Sequence, residues 1–289
     1  MQTTQHVAIS DLTTMRLGGP ATCVTEVCSS DGCVRAYEFA AAKGLPVYVL
    51  GGGSNVIGRD EGFDGVVLLN KLVGIEVIDE SPTEVTIKVA SGEELDNLVA
   101  FATARGLSGI EALSAIPGSV GGAVMQNAGA YGQEIADVLG SVEVYDTLEH
   151  QFVVLEQSKL DLAYRHSIFN SSAKGRYFIL SATVRLSRSV LEGVLFGSLQ
   201  AYLDERKITD RSPEIIRNAV MDIRATKLPD PLNEASSGSF FKNVTIRKDE
   251  RKALRERHPG MPVFETELGW RISSGWMIEQ CGLSGQLLH

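Results

Sequence analysis

The segment Gly51-Gly52-Gly53-Ser54-Asn55 follows directly on the apolar run Pro46–Leu50, and this junction limits the possible folds more than any other stretch. A short run of β-branched and aromatic residues bounded by Pro and Gly predicts a buried strand. Three glycines at its exit let the backbone turn with positive φ and bring bare N–H groups against a ligand. Successive inward-pointing N–H groups form a concavity suited to an anion, usually phosphate. Ser54 and Asn55 add side-chain donors for the same oxygens. A plain structural turn is the alternative, because Gly-rich turns after strands are common.

A second cluster, residues 116–132, holds five glycines among small residues with almost no charge. A solvated loop would carry charges, and a core helix loses roughly 1 kcal/mol for each glycine in place of alanine. Small, uncharged and Gly-dense suits a backbone running flat against a large ligand. Two such clusters far apart in sequence predict one extended, phosphate-bearing planar cofactor gripped from two sides; two unrelated tight crossings are the alternative.

The 289 residues allow two domains with ample core. A net charge of −9 argues against nucleic acid or an anionic membrane as the main partner. No run approaches the roughly 18 apolar residues of a membrane span. The opening Met1–His6 has neither a basic nor an apolar signal region, so a cytoplasmic protein is expected. Cys23, Cys28, Cys33 and Cys281 make no zinc or Cys-x-x-Cys pattern, and the five histidines lack ligand spacing, so no metal site is expected.

Along the chain, Ala21–Cys28 reads as a strand and Asp31–Lys43 as an amphipathic helix capped by Ser30 or Asp31. Pro46–Leu50 completes a β-α-β unit. Val66–Asn70, Gly74–Asp79 and Glu84–Ala90 read as strands and Glu93–Arg105 as a helix. Ser141–Thr147 with Gln151–Leu155 looks like a hairpin, and Arg176–Leu186 is a strongly alternating strand. This order is mixed α+β, and the first cluster lacks the third glycine and helix opening of a Rossmann fingerprint. Ser212–Lys227 predicts a helix with Ser at N-cap and Pro at N1. Leu228–Pro231 cannot continue it, which places a domain boundary there. Beyond lie a strand at Gly238–Phe241 and helices at Lys248–His258 and Ser273–Cys281.

Among groups able to do chemistry, Arg165 stays charged in any environment and grips carboxylates by two prongs. His166 invites a general-base reading, with a surface histidine as the better one. Ser239, between a glycine and two phenylalanines, has either a hydroxyl in a dry pocket or a plain strand-entry role. Lys227, Lys242 and Asn243 together would neutralise phosphates or a carboxylate, although a lone lysine is usually just solvated.

Taken in order, Thr14–Gly19, Gly51–Val56, Ile116–Gly122, Gln126–Gly132, Tyr164–Phe169, Arg224–Pro231, Gly238–Asn243 and Gly275–Cys281 closely resemble the UDP-N-acetylenolpyruvoylglucosamine reductase family of peptidoglycan precursor synthesis. The resemblance implies an α+β protein. Residues 1–227 would form a two-part FAD-binding region of the vanillyl-alcohol oxidase type, with its core over about 16–187. A smaller, incomplete substrate-binding domain would follow over 228–289. It also implies that FAD takes hydride from NADPH and delivers it to UDP-N-acetylglucosamine enolpyruvate. Gly51, Gly52, Gly53, Ser54, Asn55, Val56, Ile116, Pro117, Gly118, Ser119, Gly121, Gly122, Asn127, Gly129 and Ala130 are carried over as the cofactor grip. Arg165 is then the catalytic cation and Ser239 the proton donor, with Tyr131, Lys227 and Asn243 binding substrate; Phe196 aligns with the loop in which many members carry a substrate-binding tyrosine. The expected state is a monomer.

Family members continue past the Gly275–Cys281 helix to a Glu-Pro-Glu segment with a catalytic glutamate, whereas these 289 residues stop at His289. The expectation is therefore an impaired catalyst. The alternatives are an FAD-binding remnant without turnover and a flavin sugar or alcohol oxidase of the same fold.

Overall fold

The computed structural model describes residues 2–190, 195, 197–266 and 269–283, and the chain forms two compact units, Met1–Ser237 and Gly238–His289. In the first unit, β1 (Thr3–Ala8), β2 (Pro20–Val27), β3 (Val47–Leu50) and β4 (Phe63–Asn70) form a sheet in the order β1-β2-β4-β3. Strand β1 runs antiparallel to β2, while β2 and β3 both lie parallel to β4. The crossover from β2 to β3 is helix α1 (Ser30–Ala42), which supplies the β-α-β unit read from the sequence. Its cap is Ser29, one residue earlier than expected: the Ser29 hydroxyl accepts the Gly32 N–H at 3.0 Å. Cys23 and Cys33 pack as small apolar groups between α1 and the sheet, and burial pushes the Cys33 thiol up to about 12.

The second sheet is antiparallel throughout. It comprises β5 (Ile75–Glu80), β6 (Glu84–Ala90), β9 (Leu139–Asp146), β10 (Gln151–Glu156) and β11 (Tyr177–Ser187) in the order β10-β9-β11-β6-β5. Between β6 and β9 the chain forms α2 (Leu95–Thr103), α3 (Val120–Met125) and the short pair β7 (Gly129–Ala130) and β8 (Gln133–Glu134). The edge strands β5 and β10 are mostly exposed, and the central strand β11 feeds two cores. Phe178 and Leu180 pack toward α1, whereas Ala182, Val184 and Leu186 join the core with α2 and α3. All five are even-numbered, so strict alternation would put them on one face. The register shift between Ile179 and Ser181 in the β9–β11 pairing moves them apart.

Helix α3 departs from the sequence expectation, which took the second glycine cluster as too glycine-rich for a helix. The exception has a steric cause. A Cβ on Gly121 would sit 3.0 Å from both Cβ and O of Ser91, and the Gly121 N–H donates to Ser91 O at 2.8 Å. The helix lies so close to its neighbour that a side chain at Gly121 would force Ser91 to shift. Helices α4 (Gly197–Glu205) and α5 (Pro213–Lys227) close the unit and pack through Leu199, Leu203, Ile216, Val220 and Ile223. Pro213 stands at the first helical position, as the sequence indicates, although the Ser212 hydroxyl makes no cap bond.

The break between units falls after Ser237 rather than after Lys227, because the Pro-rich link is tied back to the N-terminal loop. Thr14 Oγ1 donates to Ser236 O at 2.6 Å, the Ser236 N–H donates to Thr14 O at 3.0 Å, and Arg16 Nη2 donates to Pro231 O and Leu232 O at 3.0 and 2.7 Å.

In the second unit, β12 (Val244–Ile246), β13 (Val263–Thr266) and β14 (Gly269–Ile272) form an antiparallel sheet in the order β12-β14-β13, with α6 (Lys248–Arg257) and α7 (Ser274–Gln280). The strand expected at Gly238–Phe241 is absent: Gly238 takes φ +71°, which breaks extension, and pairing begins only at Val244. Among the described residues, no helix is long and apolar enough to cross a membrane.

Asp146, at the end of β9, gives a prediction that concerns stability alone. Arg176 grips its buried carboxylate with Nε and Nη2, and the Leu148 and Glu149 N–H groups donate to it as well. The Arg176 hydrogen bonds, ahead of opposing burial, hold the carboxyl below its ordinary value. A depressed folded value gives stability that is present above the unfolded carboxylate value of about 3.9, and lost as pH falls through the folded value. Asp146→Asn should therefore lower stability at neutral pH and flatten the acid limb of the pH–stability curve. Acid titrations of the two proteins that run parallel would refute this.

Candidate functional site

The two glycine clusters meet each other. A Cβ on Gly52 would lie 2.9 Å from Gly118 Cα, and one on Gly51 would overlap Ser119 Oγ. Ser54 Oγ donates to Pro117 O at 2.8 Å and Asn55 Nδ2 donates to Gln126 Oε1 at 2.8 Å. The sequence predicts one cofactor gripped from two sides; the two loops also touch each other edge to edge, and part of their glycine content serves that contact. Gly53 takes φ +66°, and its carbonyl accepts the Thr14 N–H at 3.2 Å. This brings the Thr14–Gly19 segment to the same place.

The interlocked loops also leave donors over. Among the described residues, the backbone N–H groups of Gly52, Gly53, Ser54 and Asn55 donate to no protein acceptor. Thr13 Oγ1 is buried beside them without a partner. Four consecutive unused N–H groups on a turning backbone form an anion cradle, and buried polar atoms left unpaired call for a ligand. A pyrophosphate-bearing dinucleotide such as FAD fits this donor set.

Other members of the proposed grip have internal work. Ser119 is the N-cap of α3, its hydroxyl accepting the Gly122 N–H at 3.3 Å. The buried Asn127 side chain donates to Glu134 Oε2 at 2.7 Å and Ala163 O at 3.1 Å, and accepts the Ala136 N–H at 3.0 Å. The Asn127 backbone N–H donates to Val124 O at 3.2 Å, so the Asn127 carbonyl is the group that serves the site. Val56, Ile116 and Ala130 pack against core clusters.

Arg165 is seated by that backbone. Its Nη1 donates to Asn127 O at 3.0 Å and its Nη2 to Gly129 O at 2.6 Å, with the guanidinium 5.1 Å from the Tyr164 ring centre. The segment that closes the second glycine cluster thus fixes a cation. Ala115, Asn127, Tyr131 and Arg165 all adopt left-handed φ, between +44° and +56°. Non-glycine residues rarely do so, at a cost of order 1–3 kcal/mol each, and such outliers collect at functional sites. His166 lies in contact with Asp161 at 3.1 Å, near the surface.

Tyr131 packs against the α4–α5 cluster, and burial raises its phenol pKa against the opposing charge of Arg224. Lys227, exposed at the end of α5, lines a hollow of about 590 Å³ with Tyr202, Arg206 and Asp222. In the second unit, Ser239 is exposed beside Phe240 and Phe241, which stand edge to face with centres 5.0 Å apart. The dry pocket expected around this hydroxyl is not formed by its neighbours in the chain. Asn243 Oδ1 accepts the Ser274 N–H at 3.1 Å, so its side chain also anchors the start of α7. Phe196 lies outside the described residues.

Sequence reading missed three charged residues here. Arg217 grips Asp96 with two prongs, and Arg224 Nε donates to Ala115 O at 3.2 Å. Their seven-residue spacing puts both arginines on one face of α5, a signal available in the sequence once the helix is assigned.

Residues 21–150 match the FAD binding domain family. The UDP-N-acetylenolpyruvoylglucosamine reductase of Ralstonia nicotianae is 37% identical over 287 residues, covering 97% of this chain and 83% of that protein. The same-named protein of Salinispora arenicola is 39% identical, covering 95% and 77%, and that of Escherichia coli K12 is 35% identical, covering 90% and 75%. Among solved structures, UDP-N-acetylenolpyruvylglucosamine reductase (MurB) from Thermus caldophilus superposes with a TM-score of 0.65 at 28% identity, over 99% of this chain and 82% of that one. On fold, glycine loops and sequence together, the chain belongs to the UDP-N-acetylenolpyruvoylglucosamine reductase family.

Proposed function

We propose that this protein uses NADPH and FAD to reduce the enolpyruvyl double bond of UDP-N-acetylglucosamine enolpyruvate, giving the lactyl ether of UDP-N-acetylmuramate. The observation that carries this reading is the seating of Arg165 on the carbonyls of Asn127 and Gly129, at the end of the segment that builds the second glycine loop. When bound, FAD supplies a hydride carrier between the two substrates. The unused N–H groups of Gly52–Asn55 would hold its pyrophosphate.

Hydride arriving at the terminal carbon of the double bond leaves negative charge shared between the adjacent carbon and the carboxylate. A guanidinium already fixed by two carbonyls needs no reorganisation to meet that charge. A guanidinium carries five N–H donors, so two bonds to carbonyls do not exhaust it, and it stays charged in any environment. Ser239 Oγ is the proposed donor of the proton to the second carbon. Lys227, Tyr131 and Asn243 are the proposed holders of the nucleotide sugar, with the lysine on its diphosphate. NADPH and the nucleotide sugar are the only partners this chemistry requires.

The purified protein should release a yellow chromophore on denaturation and bleach rapidly when mixed with NADPH in stopped flow. The enolpyruvyl nucleotide should then restore the colour faster than oxygen does. Bleaching only by a sugar or alcohol, with fast recovery in oxygen, would replace this reading with an oxidase. A colourless protein that takes up no FAD would end it.

A further inference from the structure

The Asp96 carboxylate lies where two helices and a loop converge. It stands in the first turn of α2, and its Oδ1 accepts the Ala115 N–H at 2.7 Å. From α5, Arg217 donates through Nη1 to Oδ1 at 2.6 Å and through Nη2 to Oδ2 at 2.8 Å. One turn-pair further along the same face, Arg224 Nε donates to the Ala115 carbonyl at 3.2 Å. Both polar groups of the Ala115 backbone are therefore held, the N–H through Asp96 and Arg217 and the C=O by Arg224. The start of α2 adds another tie, because the Leu95 N–H donates to Gly118 O at 2.9 Å.

The residue held this way is in an unfavourable conformation. Ala115 takes φ +56°, which an alanine in a free loop would leave for the right-handed or extended regions. Its position is critical, since Ile116, Pro117, Gly118 and Ser119 follow directly and carry the contacts to Gly51, Gly52 and Ser54. A turn of Ala115 back to negative φ would redirect the whole glycine loop. Burial works against ionisation of Asp96, but the Arg217 hydrogen bonds and the Ala115 N–H outweigh it and hold the carboxyl below its ordinary value. The clamp is thus built around a charged carboxylate, and charge-assisted bonds of this kind are the stronger class.

We propose that Asp96 and Arg217 are positioning residues that lock Ala115 in its left-handed conformation and so preset the second glycine loop for FAD. Neither side chain is required to touch the cofactor. A loop that visits its binding conformation only part of the time binds with an affinity reduced by that fraction, so loss of the clamp reads out as weaker FAD binding. The inference rests on the FAD reading above.

The test titrates apo-protein with FAD by flavin fluorescence for wild type, Asp96→Ala, Arg217→Lys and the double variant Asp96→Ala/Ala115→Gly. Asp96→Ala should raise the Kd by about 10- to 100-fold, the range for losing a charged hydrogen-bond partner. Arg217→Lys, which keeps the charge but loses the fork, should raise it less. It carries the test if Asp96→Ala does not fold. Glycine enters the left-handed region freely, so the double variant should bind FAD more tightly than Asp96→Ala alone. A role limited to general stability would not produce that rescue. Hydrogen exchange at Ala115 in apo-protein should also quicken in Asp96→Ala. Unchanged FAD affinity in the variants, or a double variant no tighter than Asp96→Ala, overturns the proposal alone. A wild type that binds no FAD overturns the functional reading with it.

Discussion

Replacing Gly53 with alanine should yield a colourless, poorly stable protein. Two independent penalties meet at this position. Gly53 takes φ +66°, and an added Cβ would overlap Leu12 O while standing 2.9 Å from Thr13 Cα. The left-handed conformation costs an alanine about 1–3 kcal/mol. Forcing an atom into closely packed backbone costs about 1–3 kcal/mol more, and here no flexible side chain can yield. If the loop relieves the overlap by moving, the unused N–H groups of Gly52–Asn55 move with it and the cradle is lost. The control is Gly44→Ala. Gly44 has a similar φ of +63° after α1, but nothing lies within 4 Å of where its Cβ would stand. That variant should lose only the conformational part and keep its flavin. Thermal unfolding and visible flavin absorbance after gel filtration measure both effects. A Gly53→Ala protein as stable and as yellow as Gly44→Ala would show that the close approach to Leu12 and Thr13 is unimportant.

The second large effect is expected at Arg165. Arg165→Lys keeps a cation but cannot bridge the Asn127 and Gly129 carbonyls, which the guanidinium spans with separate nitrogens at 3.0 and 2.6 Å. Reduction by NADPH should proceed at nearly the wild-type rate, because that half-reaction creates no charge on the second substrate. Reoxidation by the enolpyruvyl nucleotide should slow by about 10²- to 10⁴-fold, the span for losing a fixed electrostatic stabiliser or a general acid. Ser239→Ala should show the same asymmetry if its hydroxyl delivers the proton. Rapid-mixing absorbance with each substrate alone separates the two halves. Equal slowing of both would make Arg165 a structural residue whose loss disturbs the loop as a whole.

Much of this was legible in the chain because it depends on local chemistry. The elements around the first glycine loop follow from short-range patterns: a β-branched run before three glycines, a helix closed by Gly44, a continuous apolar run in β4 and alternation in β6. Each residue there has the same preference whatever lies far away. The glycine clusters could be recognised for the same reason, although the sequence does not separate glycines that face a ligand from those that serve close packing, as Gly51, Gly52 and Gly121 do.

The seat of Arg165 was not legible. Its partners are main-chain carbonyls of Asn127 and Gly129, and every residue type has such a carbonyl. Nor could the sequence show that Asn127, Ser119 and Asn243 have side chains occupied by protein partners, because satisfaction of a polar group is a property of packing. The β11 bulge is equally silent: a one-residue register shift leaves alternation intact while sending Phe178 and Leu180 to one core and Ala182, Val184 and Leu186 to another. Sequence alone determined strands β2–β6 and β9–β11, helices α1, α2 and α5, and the chemistry that the glycine loops invite, because those rest on φ/ψ preference and hydrophobic period; β1, α3 and α4 were not legible in it. Only the tertiary structure decided that the two loops interlock, that Asp96 and Arg217 hold Ala115 from another helix, and that Arg165 is fixed by backbone, because each of these joins residues distant in the chain through groups that carry no sequence signature.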